Sequence, residues 1–139
     1  MRRRVVKALK PFDGMSVENI ACPGTPDVES ILGWIELKQL AGWTRSGHLP
    51  AMPHYRKVQR IWLAKRWRAG GVAFFLLQIG KEWLLFDGQI ASVLNRGQSR
   101  DLVREAALQF WPEGLVESEL IQCMMKARRS SARRSSPTT

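Results

Sequence analysis

The 139-residue sequence predicts a single domain of the mixed α/β class, with a central β-sheet flanked by helices. Val28–Leu32 and Gly33–Leu40 are two strand-like segments, and Gly33 can supply the turn of a hairpin between them. His54–Ala69 has the spacing of an amphipathic helix, about 100° per residue. Val72–Gln78 is a nearly continuous apolar run, as expected for a strand buried inside a sheet. We therefore expect a mixed sheet with the helix packed across it.

Shorter elements precede and follow this central part. Val5, Val6 and Leu9 have helical spacing, which predicts a helix over Arg2–Leu9 with a basic outer face. Ala41–Pro53 contains two glycines and two prolines, and we predict a loop there. The remaining predicted elements are the strands Met15–Cys22 and Glu82–Phe86 and the helices Gln89–Leu94, Arg100–Trp111 and Leu115–Arg128.

The composition favours a partner that carries negative charge. Lysine and arginine outnumber the acidic residues by 22 to 12, which gives a formal net charge of +10. Such an excess favours nucleic acid or an anionic membrane surface. No apolar run reaches the roughly 18 residues that suggest a membrane-spanning helix, so we expect no membrane partner. Cys22 and Cys123 fit no metal spacing, and we expect reduced thiols in a cytoplasmic protein.

The predicted hairpin also gathers polar side chains. Side chains alternate between the two faces of a strand, so Glu36 and Lys38 project to one face. Ile35 and Leu37 project to the other. A tight hairpin brings Asp27, nine positions upstream of Glu36, beside that residue. Two carboxylates on one patch suit a hard cation such as Mg²⁺. The ordinary alternative for Glu36 and Lys38 is a surface ion pair, worth under ~1 kcal/mol.

This arrangement resembles the PD-(D/E)xK nuclease superfamily. The residues that carry the resemblance are Pro26-Asp27 and Glu36-Leu37-Lys38. A wider likeness, over about residues 12–88, is to small phage-type endonucleases related to the VRR-NUC branch, which includes Holliday-junction-resolvase-like members. The residues of this wider likeness are Ser16-Val17-Glu18-Asn19, Gly24-Thr25-Pro26-Asp27-Val28, Gly33-Trp34-Ile35-Glu36-Leu37-Lys38, Gln59, Trp62-Leu63 and Ala69-Gly70-Gly71.

The resemblance implies a restriction-endonuclease-like core over about residues 12–88 and a C-terminal helical extension over about residues 89–127. Residues 1–127 would then form one nuclease domain. It also implies DNA as the partner, Mg²⁺ as the cofactor with Mn²⁺ as a substitute, and the host cytoplasm if the protein is phage-encoded. A branched substrate favours a homodimer, because two cuts related by a two-fold axis need two sites. A nicking enzyme could act as a monomer.

By resemblance, four side chains carry out the reaction: Asp27, Glu36, Lys38 and Gln59. Asp27 and Glu36 would bind the metal together with the backbone carbonyl of Leu37. Lys38 would hold or deprotonate the attacking water, or offset charge on the phosphorus, and the motif does not separate these roles. Gln59, on the basic helix, would orient water or a phosphate oxygen.

The identity of a third acidic metal ligand stays open. Superfamily members often have an acid before the motif aspartate, commonly on an early helix, whereas this chain has no acid before Asp13. Glu18 is the candidate, because it matches a Glu-Asn pair of the family. Its alternative is an ordinary exposed carboxylate on a strand.

The helix over His54–Ala69 is expected to contact phosphates. A wheel places Tyr55, Val58, Ile61, Trp62 and Ala69 on its apolar side. Arg56, Lys57, Arg60 and Arg68 share the opposite side, and no acid occurs between Glu36 and Glu82, so that face is almost purely cationic. The predicted nucleic-acid-binding residues are Arg56, Lys57, Arg60, Arg66 and Arg68. Residues 128–139 are expected to be a disordered basic tail, which either adds phosphate attraction or only solubilises the protein.

Together these features predict a metal-dependent DNA endonuclease that hydrolyses phosphodiester bonds, with branched DNA such as a Holliday junction as one candidate substrate. The first alternative is a non-catalytic nucleic-acid-binding module that keeps the nuclease fold. The second is an adaptor whose basic surface meets an acidic protein. Neither alternative accounts for Asp27, Glu36 and Lys38 in this context.

Overall fold

Strands that follow one another in the sequence also lie side by side in the fold. The computed structural model describes residues 1–18 and 22–134, with side chains described as far as residue 130. Within this part, six strands form one sheet in the order β1 to β6. They are β1 (Met15–Ser16), β2 (Val28–Ser30), β3 (Gly33–Leu40), β4 (Ala73–Ile79), β5 (Glu82–Asp87) and β6 (Gln109–Trp111). β3 and β4 are parallel, and the other neighbouring pairs are antiparallel.

Helices cover both faces of this sheet. They are α1 (Arg2–Ala8), α2 (Lys57–Arg68), α3 (Gly88–Ser92), α4 (Arg100–Ala106) and α5 (Glu117–Arg134). α2 lies in the crossover between β3 and β4, the connection that a parallel pair requires. None of the described helices is both long enough and apolar enough to cross a bilayer. The mixed α/β class, with a mixed sheet flanked by helices, is confirmed.

Two apolar layers hold the helices against the sheet. The side chains of β4 alternate between them, with Phe74 and Leu76 in one layer and Phe75 and Leu77 in the other. Apolar residues of α1 and α5 complete the first layer, and residues of α2 and α3 complete the second. β4 is therefore buried on both faces, which explains its continuous apolar sequence.

The hairpin of β2 and β3 has the predicted arrangement. Val28 lies opposite Ile35, and Ser30 lies opposite Gly33. Gly33 has a positive φ of 138°, and a Cβ atom there would lie 2.8 Å from the carbonyl oxygen of Val72. Glycine is thus required both by the turn and by the close approach of the neighbouring backbone. This register directs the residue before β2 toward the middle of β3.

The predicted helix over Arg100–Trp111 is wrong in its second half. α4 ends at Ala106, and Gln109–Trp111 forms the edge strand β6. Phe110 lies opposite Leu84 of β5, in an antiparallel pair. Aromatic residues fit the pleated surface of a sheet well, and an exposed edge of β5 offers them backbone partners. The C-terminal extension therefore contributes a strand to the sheet as well as helices.

Among the other predicted elements, two differ most at their ends. Of the strand predicted over Met15–Cys22, only Met15–Ser16 is a strand, and residues 19–21 lie outside the described part. α5 continues to Arg134, so residues 128–134 are helical and the predicted start of the tail at residue 128 is wrong. Extending an existing helix adds one hydrogen bond for each residue that is fixed, and arginine and alanine are good helix formers. Residues 135–139 lie outside the described part.

The buried side of α2 is not the side that the helical wheel gave. Val58 and Ile61 are 42% and 53% exposed, whereas Leu63 is fully buried. Gln59 and Leu63, one turn apart, lie on the side that meets the sheet. The polar residue Gln59 belongs to this side because it meets a polar residue of β3, a contact that hydrophobicity alone does not predict.

Candidate active site

A tight loop before β2 positions Asp27. Gly24 in this loop has a φ of 91°, and a Cβ atom there would lie 2.6 Å from the carbonyl oxygen of Val58. The loop backbone is therefore in contact with the first turn of α2. Asp27 follows at the edge of β3, where its Oδ2 accepts a hydrogen bond of 2.9 Å from the backbone N–H of Leu37. The side chain is thus held against the strand that carries the second carboxylate.

Glu36 provides that second carboxylate, and it is buried. Only 1% of the surface of Glu36 is exposed to solvent. Its Oε1 atom accepts hydrogen bonds from Lys38 Nζ at 2.9 Å and from Gln59 Nε2 at 3.0 Å. Burial raises the pKa of Glu36 to about 7, the nearby Asp27 adds to this rise, and Lys38 opposes it. Burial therefore outweighs the lysine in setting the pKa of this carboxyl.

Gln59 connects the helix α2 to the carboxylate. Its Oε1 accepts the backbone N–H of Arg56 at 2.8 Å, so the amide caps the first turn of the helix. Its Nε2 donates to Glu36. Because each end of the amide has a partner, its orientation is fixed, and Glu36 receives the donor end.

Lys38 lies between the carboxylate and an aromatic ring. Its side chain is 15% exposed, and its Nζ lies 6.0 Å from the centre of the Tyr55 ring. The Tyr55 hydroxyl donates to the carbonyl of Ala91 at 2.6 Å, and burial raises the pKa of this phenol. The lysine ammonium is thus fixed on the Glu36 side of the site, within reach of solvent.

Arg2 is a site residue that the sequence did not reveal. Its Nη2 lies 2.6 Å from Asp27 Oδ1, and its Nη1 donates to Ser16 Oγ at 3.4 Å. The sequence predicted a basic N-terminal helix, but nothing in its pattern indicates that this helix begins beside residue 27. Glu18, the candidate third ligand, is 86% exposed and lies 3.9 Å from Arg2 Nη1. No described contact joins Glu18 to Asp27 or Glu36.

The donor atoms at this site match the preferences of a hard cation. Within the described residues, no group of three or more His, Cys, Asp or Glu side chains is arranged to hold a metal. The candidate metal ligands at this site are two carboxylates, those of Asp27 and Glu36, and one backbone carbonyl, that of Leu37. The N–H and C=O of one strand residue point to the same edge, so this carbonyl faces the Asp27 side. Two carboxylates plus a carbonyl and water are a suitable set for Mg²⁺.

The predicted phosphate-binding residues of α2 fall into two groups. Arg56, Lys57 and Arg68 are exposed, and no partner for their side chains is found in the described part of the chain. Arg66 is exposed as well, with its guanidinium 5.0 Å from the centre of the Trp62 ring. These four side chains are accessible to a ligand.

Arg60 is the exception among them. Its guanidinium donates to the carbonyls of Ser92 and Leu94 at the end of α3 and lies 4.0 Å from the centre of the Tyr55 ring. This cation therefore connects α2 to α3, where it satisfies carbonyls that the short helix leaves free. Arg60 thus has a structural role in joining the two helices, whereas its contact with phosphate stays a prediction.

The sequence matches no known family model, and comparison with curated proteins gives no significant match. The relation to the PD-(D/E)xK superfamily therefore stays a prediction that rests on the motif residues.

Proposed function

We propose that this protein is a metal-dependent DNA endonuclease of the PD-(D/E)xK type. The observation that carries the proposal is the convergence of Asp27, Glu36, Lys38 and Gln59, which come from a loop, a strand and a helix. The fold is compatible with a restriction-endonuclease-like core, because three antiparallel strands are followed by a helix and a strand parallel to the third. The net charge of +10 supports a nucleic-acid substrate.

Asp27, Glu36 and the carbonyl of Leu37 would hold Mg²⁺, or Mn²⁺ in its place. A bound divalent cation supplies polarisation of the scissile phosphate and lowers the pKa of a coordinated water. Lys38 and Gln59 both contact Oε1 of Glu36, and the Glu36 carboxyl also interacts with that of Asp27, so the two carboxyl groups are close enough to share a cation. Burial and the nearby Asp27 both disfavour the ionised form of Glu36, and a bound cation would offset both effects.

The protein side chains have separate tasks in this proposal. Gln59 fixes the orientation of Glu36, and through Arg56 N–H it ties that orientation to the start of α2. Lys38 presents an ammonium group close to the two carboxylates, where it would hold the attacking water or offset charge that develops on the phosphate. Losing either Asp27 or Lys38 should therefore abolish cleavage.

A non-catalytic nucleic-acid-binding module is the second candidate, and one observation favours it. Each carboxylate already has a cationic side chain within hydrogen-bonding distance, Arg2 at Asp27 and Lys38 at Glu36. A site whose charges are paired in this way can persist as a structural ion-pair network. This candidate predicts DNA binding without cleavage, and DNA affinity in EDTA that is unaffected by Asp27→Ala.

The experiment that separates these candidates is a cleavage assay with purified protein. Linear duplex, single-stranded, flap and four-way junction DNA are incubated in Mg²⁺, Mn²⁺ or EDTA. We expect cleavage only with a divalent cation, its loss in Lys38→Ala, and its retention in Lys81→Ala, which removes an exposed lysine paired with Glu113. Absence of cleavage on every DNA with every cation would reject the enzyme, and preference for the junction would favour a homodimer.

A further inference from the structure

A cationic groove lies between α1 and β1. It has a volume of about 590 Å³, and four cationic side chains line it: Arg2, Arg3, Lys7 and Lys10. Among the described residues, no acidic and no aromatic side chain contributes to the lining. The other described lining residues are Val6, Gly14 and Ser16, so all the charged side chains described in the lining are cations.

Three of these cations have no partner of opposite charge in the described part of the chain. Arg3, Lys7 and Lys10 are exposed and form no described ion pair. Arg3 and Lys7 are one helical turn apart, so they repel each other, which costs α1 a few tenths of a kcal/mol. Arg4 of the same helix differs, because it pairs with Glu117 and donates to the carbonyl of Leu115. α1 therefore pairs Arg4 with Glu117, whereas Arg3 and Lys7 on the groove side have no acidic partner among the described residues.

The groove meets the candidate active site at Arg2. The guanidinium of this residue belongs to the groove lining and also lies 2.6 Å from Asp27 Oδ1. An extended anionic chain lying in the groove would thus run to within one side chain of the carboxylates. Ser16, at the other wall, accepts a hydrogen bond from the same guanidinium.

We propose that this groove binds the phosphate backbone of a DNA strand and leads it to Asp27, an inference that rests on the proposed function. A series of cations without acids fits a ligand that repeats its negative charge along its length. The absence of aromatic rings from the lining argues against stacked bases, so the contacts are with phosphates and do not depend on sequence. The surface is distinct from α2 and the C-terminal arginines.

The test measures DNA binding without chemistry. Binding of a fluorescent duplex is followed in EDTA at increasing salt for the protein and for the triple variant Arg3→Ala, Lys7→Ala, Lys10→Ala. We expect the slope of log K against log salt to become less steep by about 2 to 3, roughly 0.9 for each lost phosphate contact. The single variant Lys7→Ala, whose side chain is exposed, should reduce the slope by about 1. Circular dichroism verifies that each variant is folded.

A matched triple variant loses the same charge from exposed positions outside the groove: Lys81→Ala, Arg96→Ala and Arg100→Ala. Its slope of log K against log salt should stay within about 1 of the original slope. Equal slopes for both triple variants would overturn the inference, since only total charge would matter. Groove-dependent binding to anionic phospholipid vesicles without any DNA binding would overturn it as well.

The two proposals can fail separately. Groove-dependent DNA binding in a protein that never cuts supports the groove and rejects the endonuclease. Cleavage by a groove variant that binds DNA with the original salt dependence supports the endonuclease and rejects the groove.

Discussion

At the scale of single residues, Glu36 carries its carboxylate in a position almost fully shielded from water. Burial is the largest cause of its raised pKa and Asp27 the second, and together they outweigh the attraction of Lys38. Without a bound cation, the folded protein therefore holds the Glu36 proton more tightly than the unfolded chain does. A divalent cation that binds Glu36 must therefore displace this proton.

This pKa predicts how stability depends on pH. In EDTA, the free energy of unfolding should fall as pH rises from 4.5 through about 7, because the folded state binds the extra proton over that range. Glu36→Gln removes this contribution. Its free energy of unfolding relative to the unmodified protein should therefore rise by about 3 kcal/mol between pH ~4.5 and pH ~8. Urea unfolding measures the difference, with the exposed Glu113→Gln as control. Parallel pH profiles for all three proteins would contradict the burial argument.

Arg2 predicts a second effect at this scale. Its guanidinium occupies Asp27 Oδ1, an oxygen that a metal would use. Arg2→Gln should lower the dissociation constant for Mn²⁺ roughly tenfold. This corresponds to about 1.4 kcal/mol in binding free energy, similar to the contribution of one charge-assisted hydrogen bond. Isothermal titration calorimetry measures this dissociation constant. Arg4→Gln removes the same charge from the same helix at the Glu117 contact and should leave the constant nearly unchanged. Equal constants in all three proteins would show that Arg2 does not compete with the metal.

At the scale of elements, the hairpin, α2 and the buried strands β4 and β5 could be predicted, because each has a local pattern that its surroundings reinforce. Phe110 was ambiguous: its apolar spacing suits a helix, and only the free edge of β5 makes it a strand residue. The contact of Arg2 with Asp27 joins positions far apart in the sequence, and periodicity carries no information about such contacts. Hydrophobicity also misplaced Val58, because the side of α2 that meets the sheet includes a polar contact.

The loop that carries Asp27 is expected to depend on glycine at position 24. Gly24→Ala introduces a Cβ at a positive φ and within 2.6 Å of the Val58 carbonyl, so both the loop and α2 must shift. We expect a loss of about 2 kcal/mol or more in the free energy of unfolding, measured by urea denaturation. Gly42→Ala, where no atom lies within 4 Å of the new Cβ, should change it by less than about 0.5 kcal/mol. Similar losses in both variants would show that the loop does not depend on Gly24.

At the scale of the whole molecule, positive charge is distributed over several surfaces while the site itself is compact. The groove beside α1, the exposed cations of α2 and the end of α5 all carry it. Affinity for DNA and chemistry should therefore be separable, because long-range attraction needs only charge and hydrolysis needs the arrangement around Glu36.

Truncation before residue 128 tests this separation. It removes four arginines and the last turns of α5, where Arg128 and Arg129 are exposed. DNA binding should weaken and its salt dependence should become less steep, whereas the cleavage rate at saturating DNA should stay the same. A charge-conserving control replaces the four arginines with lysine and should bind nearly as well. A fall in unfolding temperature of roughly 5 °C or more on truncation would instead show that this segment stabilises the fold.

The role of Asp27 in metal-dependent hydrolysis is tested by the rate of plasmid DNA cleavage in Mg²⁺, measured for the protein and for Asp27→Asn. The substitution keeps the size of the side chain and its acceptor for the Leu37 N–H, and it removes the charge that a cation needs. We expect the protein to cleave the plasmid in Mg²⁺ but not in EDTA, Asp27→Asn to be inactive, and Asp101→Asn, which changes an exposed residue, to stay active. Cleavage by Asp27→Asn at the original rate, or cleavage that persists in EDTA, would contradict this expectation.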